Sequence, residues 1–396
     1  MMIHWLKYNQ QYCLDISLAL LVFFIPLSPA FPNILMIPAG LLYISISIKT
    51  RSFKQPVIWY LLLLLVSIQL IHALTVGQFL SELDFMKKFI SGLFIFLLVK
   101  SNKNPSLLEK SYLLGVLLAI IYSCGLIINE YLTDGSVTLS IGSEVDQLLI
   151  LERPYFAFIT VLANYIIFKR IRKNQSNNYF YLLALLFIAF CFFITARLGM
   201  ALHILLLIHH GYRTLNKLKL KHYLLLISLT GLIIFSIFKN PYLRERMRID
   251  KNLDTTIEKL KAYEPRYIIW QCNFGLIKDN FLFGLHSHQN LQNALDDCYI
   301  DKIDREKKEQ YYINSGFNTH NQFFDILLVG GLLSFIVFIA ALIIPFIRYH
   351  HYDQILTIFL LFTAFFLVEN VLLRQTGCFL FGIFGALSYQ YDRQEN

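Results

Sequence analysis

The sequence predicts an all-α polytopic membrane protein of about twelve transmembrane helices, with one large loop between helices 9 and 10. Three observations lead there. Of 396 residues, 56% are hydrophobic and only 15% are charged, whereas a soluble surface is built with roughly 25% charged residues. Apolar runs of about 17–22 residues recur along the chain, the length that crosses roughly 30 Å of hydrocarbon. Within those runs apolar and polar residues do not alternate, as they would in a transmembrane barrel; Leu61 to Val66 is apolar throughout.

The spans in order fall near 14–30, 33–48, 56–76, 84–99, 111–129, 153–168, 179–195, 198–212, 222–238, 321–345, 354–370 and 374–389. A short, weakly basic segment precedes the first, and no small-residue cleavage site follows it, so it reads as a retained helix and not as a signal peptide. Pro26 and Pro29 end it, and Pro38 is placed to bend the second. The chain then divides into 1–238 with helices 1–9, 239–320 as the large loop with short helices, and 321–396 with helices 10–12 and a short tail.

Lys and Arg number 35 against 26 Asp and Glu, a net charge of +9. In a soluble chain this would point to nucleic acid. Here the basic residues sort by side, and no nucleic-acid partner is expected. Lys49, Arg51, Lys54, Lys100, Lys103, Lys110, Lys169, Arg170, Arg172, Lys173, Arg213, Lys217, Lys219, Lys221 and Arg348 all fall in even-numbered connections. The short odd-numbered connections are acidic, with Glu82, Asp84, Glu130, Asp134, Glu144, Asp146 and Glu152. By the positive-inside rule both termini are cytoplasmic, and the loop at about 239–320 faces the far side.

That loop is polar and holds two apolar stretches, Tyr267 to Ile277 and Asn280 to Leu285. Arg266, Trp270 and Asn273 lie about a turn apart and share one helix face. Helices resting on or near the membrane are expected here, not a separate domain. Of six cysteines, Cys272 and Cys298 fall in the loop, where a disulfide is permitted. With no CxxC spacing, their pairing stays open.

Four arginines on the loop side do not suit lipid. Arg153 opens a span, Arg197 interrupts an apolar stretch, Arg266 follows Glu264-Pro265, and Arg374 follows Glu369 by five residues. Snorkelling, or pairing with Glu152, Glu264 or Glu369, is the structural explanation. Arg197 has no carboxylate near it in sequence, and an ionisable residue in such a place is a functional candidate. Guanidiniums converging on one face suit an anion such as a phosphate, which they bind bidentately. His320 stands where polar loop becomes apolar helix, with Thr319 or Asn318 as the expected cap. A neutral imidazole there can serve as a general base; an interfacial histidine is the alternative. His286 and His288 lack a third ligand of convincing spacing, so neither a metal nor another cofactor is expected. No Walker A run, Rossmann fingerprint, HExxH or GxSxG occurs.

Taken in order, these motifs resemble the bacterial O-antigen ligase and polymerase superfamily. The matching residues are Arg197-Leu198-Gly199, Arg266 to Trp270, Phe281-Leu282-Phe283-Gly284, and His320-Asn321 through Gly330-Gly331, within roughly 150–380. Two positions depart: Ala196 replaces a serine, and His286 replaces the second glycine of Gly-x-Gly. The resemblance implies a GT-C-like membrane glycosyltransferase of the bacterial inner membrane with a periplasmic active site. Its implied donor is a glycan on undecaprenyl diphosphate, and the implied acceptor is a lipid A–core hydroxyl, so that it works in lipopolysaccharide biosynthesis as an O-antigen ligase. A polymerase using a lipid-linked glycan acceptor and a protein O-oligosaccharyltransferase are the alternatives, with a transporter or flippase outside the class. By the resemblance His320 is the base or orienter, and Arg197 and Arg266 bind the diphosphate, with Arg153 and Arg374 as further candidates. Asn321, Trp270 and Glu369 support them, and no metal is called for.

The charge sorting makes a direct prediction. Single cysteines at Ser315 and at Asn174, in a cysteine-free background, should react with an impermeant thiol reagent from opposite sides of the membrane. Labelling of both from the cytoplasm alone would overturn the topology.

Overall fold

The computed structural model describes residues 2–50, 55–134, 147–173, 178–214, 264–348 and 353–395. Every regular element among them is helical. Helices lie on all the expected spans except the ninth, 222–238, which is outside the described residues. Among the described residues, four helices are long and apolar enough to cross a membrane: Ala30–Lys49, Val57–Thr75, Pro105–Asp134 and Gln322–Arg348. Packing divides the chain into two units. One holds Met1–Leu18, Met36–Pro105 and Ile257–Asn396; the other holds Ala19–Leu35 and Ser106–Thr256. Helices α1 (Met2–Phe24) and α2 (Ala30–Thr50) contribute to both.

In the second unit, α5 (Pro105–Asp134) is joined by α6 (Arg153–Arg172), α7 (Asn178–Phe193) and α8 (Arg197–Thr214). Nearly all of α6 is buried, and it packs on α7 and α8. Tyr112 of α5 donates to the Ile159 carbonyl at 3.1 Å. At the other end of α6 the buried carboxylate of Glu109 takes Lys169 and Arg170, the latter through Nε at 2.9 Å. The chain passes from α7 to α8 through Thr195, at φ 55°.

The first unit is built on α3 (Val57–Thr75), α4 (Phe79–Lys100), α12 (Gln322–Arg348), α13 (Asp353–Phe366) and α14 (Gln375–Glu395). Helix α3 packs on α12 and α4, and α14 packs on α4 and α13. Three shorter helices, α9 (Pro265–Asn280), α10 (His288–Lys302) and α11 (Glu306–Ser315), lie in the described part of the stretch expected to be the large loop. Ile269, Cys272, Leu291, Leu295, Tyr299 and Tyr312 bury one face each against Leu328 and Val329 of α12. The loop helices therefore rest on a membrane helix. A disulfide between Cys272 and Cys298, with Cα atoms 5.9 Å apart, ties α9 to α10.

Helix α12 breaks at Gly331, where φ is 67° and ψ −170°. In an unbroken helix the Leu332 N–H would bond the Leu328 carbonyl. Here both groups turn to the chain after α9. The Leu328 carbonyl accepts from Leu285 N–H at 2.6 Å, and Leu332 N–H donates to the Leu282 carbonyl at 3.1 Å. His286 N–H adds a bond to the Val329 carbonyl at 3.0 Å. The two backbones meet at Gly284 and Gly331. A Cβ on Gly284, itself at φ 70°, would lie 2.6 Å from Gly331 N and 2.8 Å from the Leu328 carbonyl oxygen.

A second lock holds α10 to the same helices. The ring of His288 lies between two buried carboxylates, Nδ1 2.7 Å from Glu82 Oε1 on α4 and Nε2 3.2 Å from Asp325 Oδ2 on α12. Its backbone N–H also donates to Glu82, at 2.9 Å. Burial works against a charge on this ring, but Asp325 and Glu82 more than offset it and hold the pKa up at about 10.

Two predictions follow from these contacts. Gly284→Ala should lower the unfolding temperature in detergent, since alanine at positive φ with no space costs more than about 1 kcal/mol. Gly275→Ala, in α9 with nothing within 4 Å, should be neutral or mildly stabilising; equal stability of the Gly284 variant would refute the backbone pairing. The histidine carries a pH signature. A group whose folded pKa is raised contributes stability that is whole below its unfolded value, about 6.5, and is lost as pH climbs through the folded one, about 10. Melting curves from pH 6 to 10 should therefore show the parent losing stability relative to His288→Gln, and parallel curves would refute the charged ring.

Candidate functional site

Helix α9 starts on Pro265, whose fixed φ suits the first helical position. Arg266 follows it in the first turn. Its Nη2 lies 2.5 Å from Glu369 Oε1, and its Nη1 lies 3.4 Å from Glu264 Oε1. Glu369 comes just after α13, with its N–H bonded to the Phe365 carbonyl at 3.0 Å. Its second oxygen lies 3.4 Å from His320 Nδ1. One carboxylate thus bridges a guanidinium and an imidazole that are 54 residues apart in the chain. Burial reaches this carboxylate far more than the guanidinium or the imidazole, which stay part-exposed.

His320 sits at φ 45°, a left-handed conformation that costs a non-glycine residue on the order of 1 kcal/mol. Its neighbours hold it there. The His320 N–H donates to Asn318 Oδ1 at 3.0 Å. The Thr319 carbonyl accepts from Asn273 Nδ2 of α9 at 3.0 Å. Asn370 grips both flanking residues: its Oδ1 accepts from Asn321 N–H at 2.7 Å, and its Nδ2 donates to Thr319 Oγ1 at 2.8 Å. That Nδ2 also donates to Asp325 Oδ1 at 3.0 Å, and Asp325 holds His288. Polar contacts therefore run without a gap from Glu82 to the residues on either side of His320.

The expected cap needs correction. Asn321, not Thr319 or Asn318, caps α12, its Oδ1 accepting from Phe323 N–H at 2.9 Å and Phe324 N–H at 3.1 Å. Thr319 and Asn318 are used within the turn itself. His320 accordingly precedes the cap and lies outside the helix.

Arg266, His320, Glu369 and Asn321 come together in the first unit. Trp270 lies one turn beyond Arg266, its ring 6.4 Å from that of Phe324. Arg374 is exposed, in the same unit, and directly precedes α14. Glu369, near it in sequence, turns instead to Arg266 and His320. Arg153 and Arg197 belong to the second unit. Arg153 is buried at the start of α6, with Nη1 3.4 Å from Thr195 Oγ1. Arg197 is the first residue of α8 and half-buried, two residues beyond that threonine. His286 and His288 do not converge: the first ring packs at 5.2 Å on His72 and the second lies between its two carboxylates. No group of three or more His, Cys, Asp and Glu among the described residues is arranged to hold a metal ion. Sequence reasoning did not place Asn370, Asp325 or Glu82 at the site. Asp325 and Glu82, carboxylates in the first turns of apolar helices, carried a local signal; Asn370 did not.

A family model described as O-antigen ligase matches residues 157–339. The match covers Arg197, Arg266, Trp270, His320 and Asn321, and its bounds leave Arg153 on one side and Glu369 and Arg374 on the other. No curated protein matches the chain. Residues 157–339 of the chain are thus similar to the O-antigen ligase family.

Proposed function

We propose that this protein is an O-antigen ligase, which moves a glycan from undecaprenyl diphosphate to a hydroxyl of lipid A–core on the periplasmic face of the inner membrane. The observation that carries the reading is Glu369 between Arg266 and His320, beside a domain of the O-antigen ligase family. A carboxylate facing Nδ1 favours the tautomer with its proton on that nitrogen, which leaves Nε2 as the base. The acceptor hydroxyl gives its proton to Nε2 while its oxygen attacks the anomeric carbon. The bond to the diphosphate breaks, and its electron pair leaves with the diphosphate. Attack opposite the leaving group inverts the anomeric centre.

Arg266 serves the leaving group. Its Nε and the indole Nε1 of Trp270, one turn apart on α9, are buried without a hydrogen-bond partner among the described residues. Buried donors without partners are costly, and phosphoryl oxygens would satisfy them. Fixed guanidiniums can stabilise a departing diphosphate without a metal ion. Arg197 and Arg153 enter the proposal as further diphosphate ligands, and Arg374 as a part of the same anion-binding set. Arg197 opens α8, where the helix dipole already places positive charge; a cation there is favourable chiefly in the company of an anion. Asn321 holds the His320 turn.

The test uses purified protein in liposomes with EDTA, radiolabelled lipid-linked glycan, and one acceptor at a time. Transfer to lipid A–core supports the ligase. Transfer to a second lipid-linked glycan alone identifies a polymerase, and transfer to protein alone an oligosaccharyltransferase. His320→Ala should reduce transfer roughly 10²–10⁴-fold, the range of general acid–base catalysis, while donor binding survives. Arg197→Lys and Arg266→Lys, which lose the bidentate fork, should weaken both donor binding and transfer. Full activity of His320→Ala would remove it from the mechanism.

A further inference from the structure

We infer that residues Phe281–Leu285 form a re-entrant tip sunk into the hydrocarbon of the bilayer, and that Phe281, Leu282 and Phe283 are its contact surface for phospholipid acyl chains. The depth follows from the partner. The midpoint of the 27-residue α12 is residue 335. The backbone of 282–285 is bonded to Leu328 and Leu332, three to seven residues before that midpoint. At about 1.5 Å per residue this is roughly 5–10 Å from the centre, inside the roughly 15 Å half-thickness of the hydrocarbon.

Exposure points the same way. Phe281 is 43%, Leu282 61% and Phe283 70% exposed. On α12 the outward apolar stripe is Leu333, Ile336, Ile343 and Ile347, at helical spacing. No residue of α12 before Leu333 is exposed. Where α12 is covered, the tip takes over as the outward apolar surface, joined to the stripe by the bond from Leu332 N–H to the Leu282 carbonyl. The segment is bracketed by Lys278, Asp279 and Asn280 before it and by Ser287 and His288 after it, so both ends return to polar surroundings. Non-helical backbone at such depth is tolerated only where protein satisfies its polar groups. The bonds to the break in α12 do so for the Leu282 carbonyl and the N–H groups of Leu285 and His286, and Gly284 N–H bonds the Asn280 carbonyl.

Nitroxide accessibility tests this. Phe283→Cys is made with Cys13, Cys124, Cys191 and Cys378 replaced by Ala and the Cys272–Cys298 disulfide kept. The full chain is spin-labelled and placed in vesicles of phosphatidylethanolamine and phosphatidylglycerol that hold no polyprenyl lipid. The label should collide freely with oxygen and be shielded from a water-soluble nickel chelate, to the same degree as one at Leu333→Cys. Nickel access equal to that of Ser315→Cys, on α11, would overturn the inference. Leu282→Cys is the second reporter and is read by the same two standards. Because no donor is present and no transfer is measured, failure here and failure of the ligase reading are separate results.

Discussion

A membrane helix that breaks must find new partners for the backbone groups it releases. Hydrocarbon offers none, and each unsatisfied group costs several kcal/mol. Helix α12 breaks at Gly331, and its released carbonyl and N–H are both taken up by residues 282–285. This exchange fixes the route of the chain between α9 and α10. It also explains the two glycines: at Gly284 and Gly331 the backbones come too close for a Cβ on either side. With the tip fixed, α9 and α10 leave it at set positions, and the disulfide between Cys272 and Cys298 sets the spacing between them. Arg266 on α9 and His288 on α10 are therefore placed by the same constraint.

The polar contacts from Glu82 through His288, Asp325 and Asn370 complete the frame. A buried ion pair is weak evidence of stability, because desolvation opposes the attraction. Its use here is positional. Asp325 belongs to the first turn of α12, Glu82 to α4 and His288 to α10, so one charged ring registers three helices. Asn370 carries that register to both neighbours of His320, which is how a left-handed histidine is held without a glycine.

Most of the helices were legible in the sequence, and so were two of the charged residues that the structure brings to one carboxylate. Apolar runs of membrane length announce spans, and an ionisable residue within or beside them stands out against lipid, so Arg266 and His320 could be singled out without a structure. Glu369 was legible as a near carboxylate, but its partner was not: it was paired in sequence with Arg374, and in space it takes Arg266 and His320. The cap on α12 was misplaced by two or three residues because Asn318, Thr319 and Asn321 have equal capping chemistry, and only the hydrogen bonds decide among them. The contact between His288 and Glu82 spans 206 residues, and no local pattern encodes a separation of that length. The glycines were visible as glycines; that they face each other was not.

The charge balance of the first-unit site bears on how it would work. Glu369 is one negative charge shared by Arg266, permanently charged, and His320, which can be neutral. While the guanidinium holds one oxygen of the carboxylate, only the other faces the ring. An incoming diphosphate would draw on Arg266 and lessen its hold on Glu369. The carboxylate would then be freer to turn to His320 and hold the ring by Nδ1. Donor binding and the orientation of the ring would be coupled through a single side chain. The economy of the arrangement rests on Glu369 having two oxygens turned to two different partners, and on the polar frame behind His320 keeping the ring within reach of one of them.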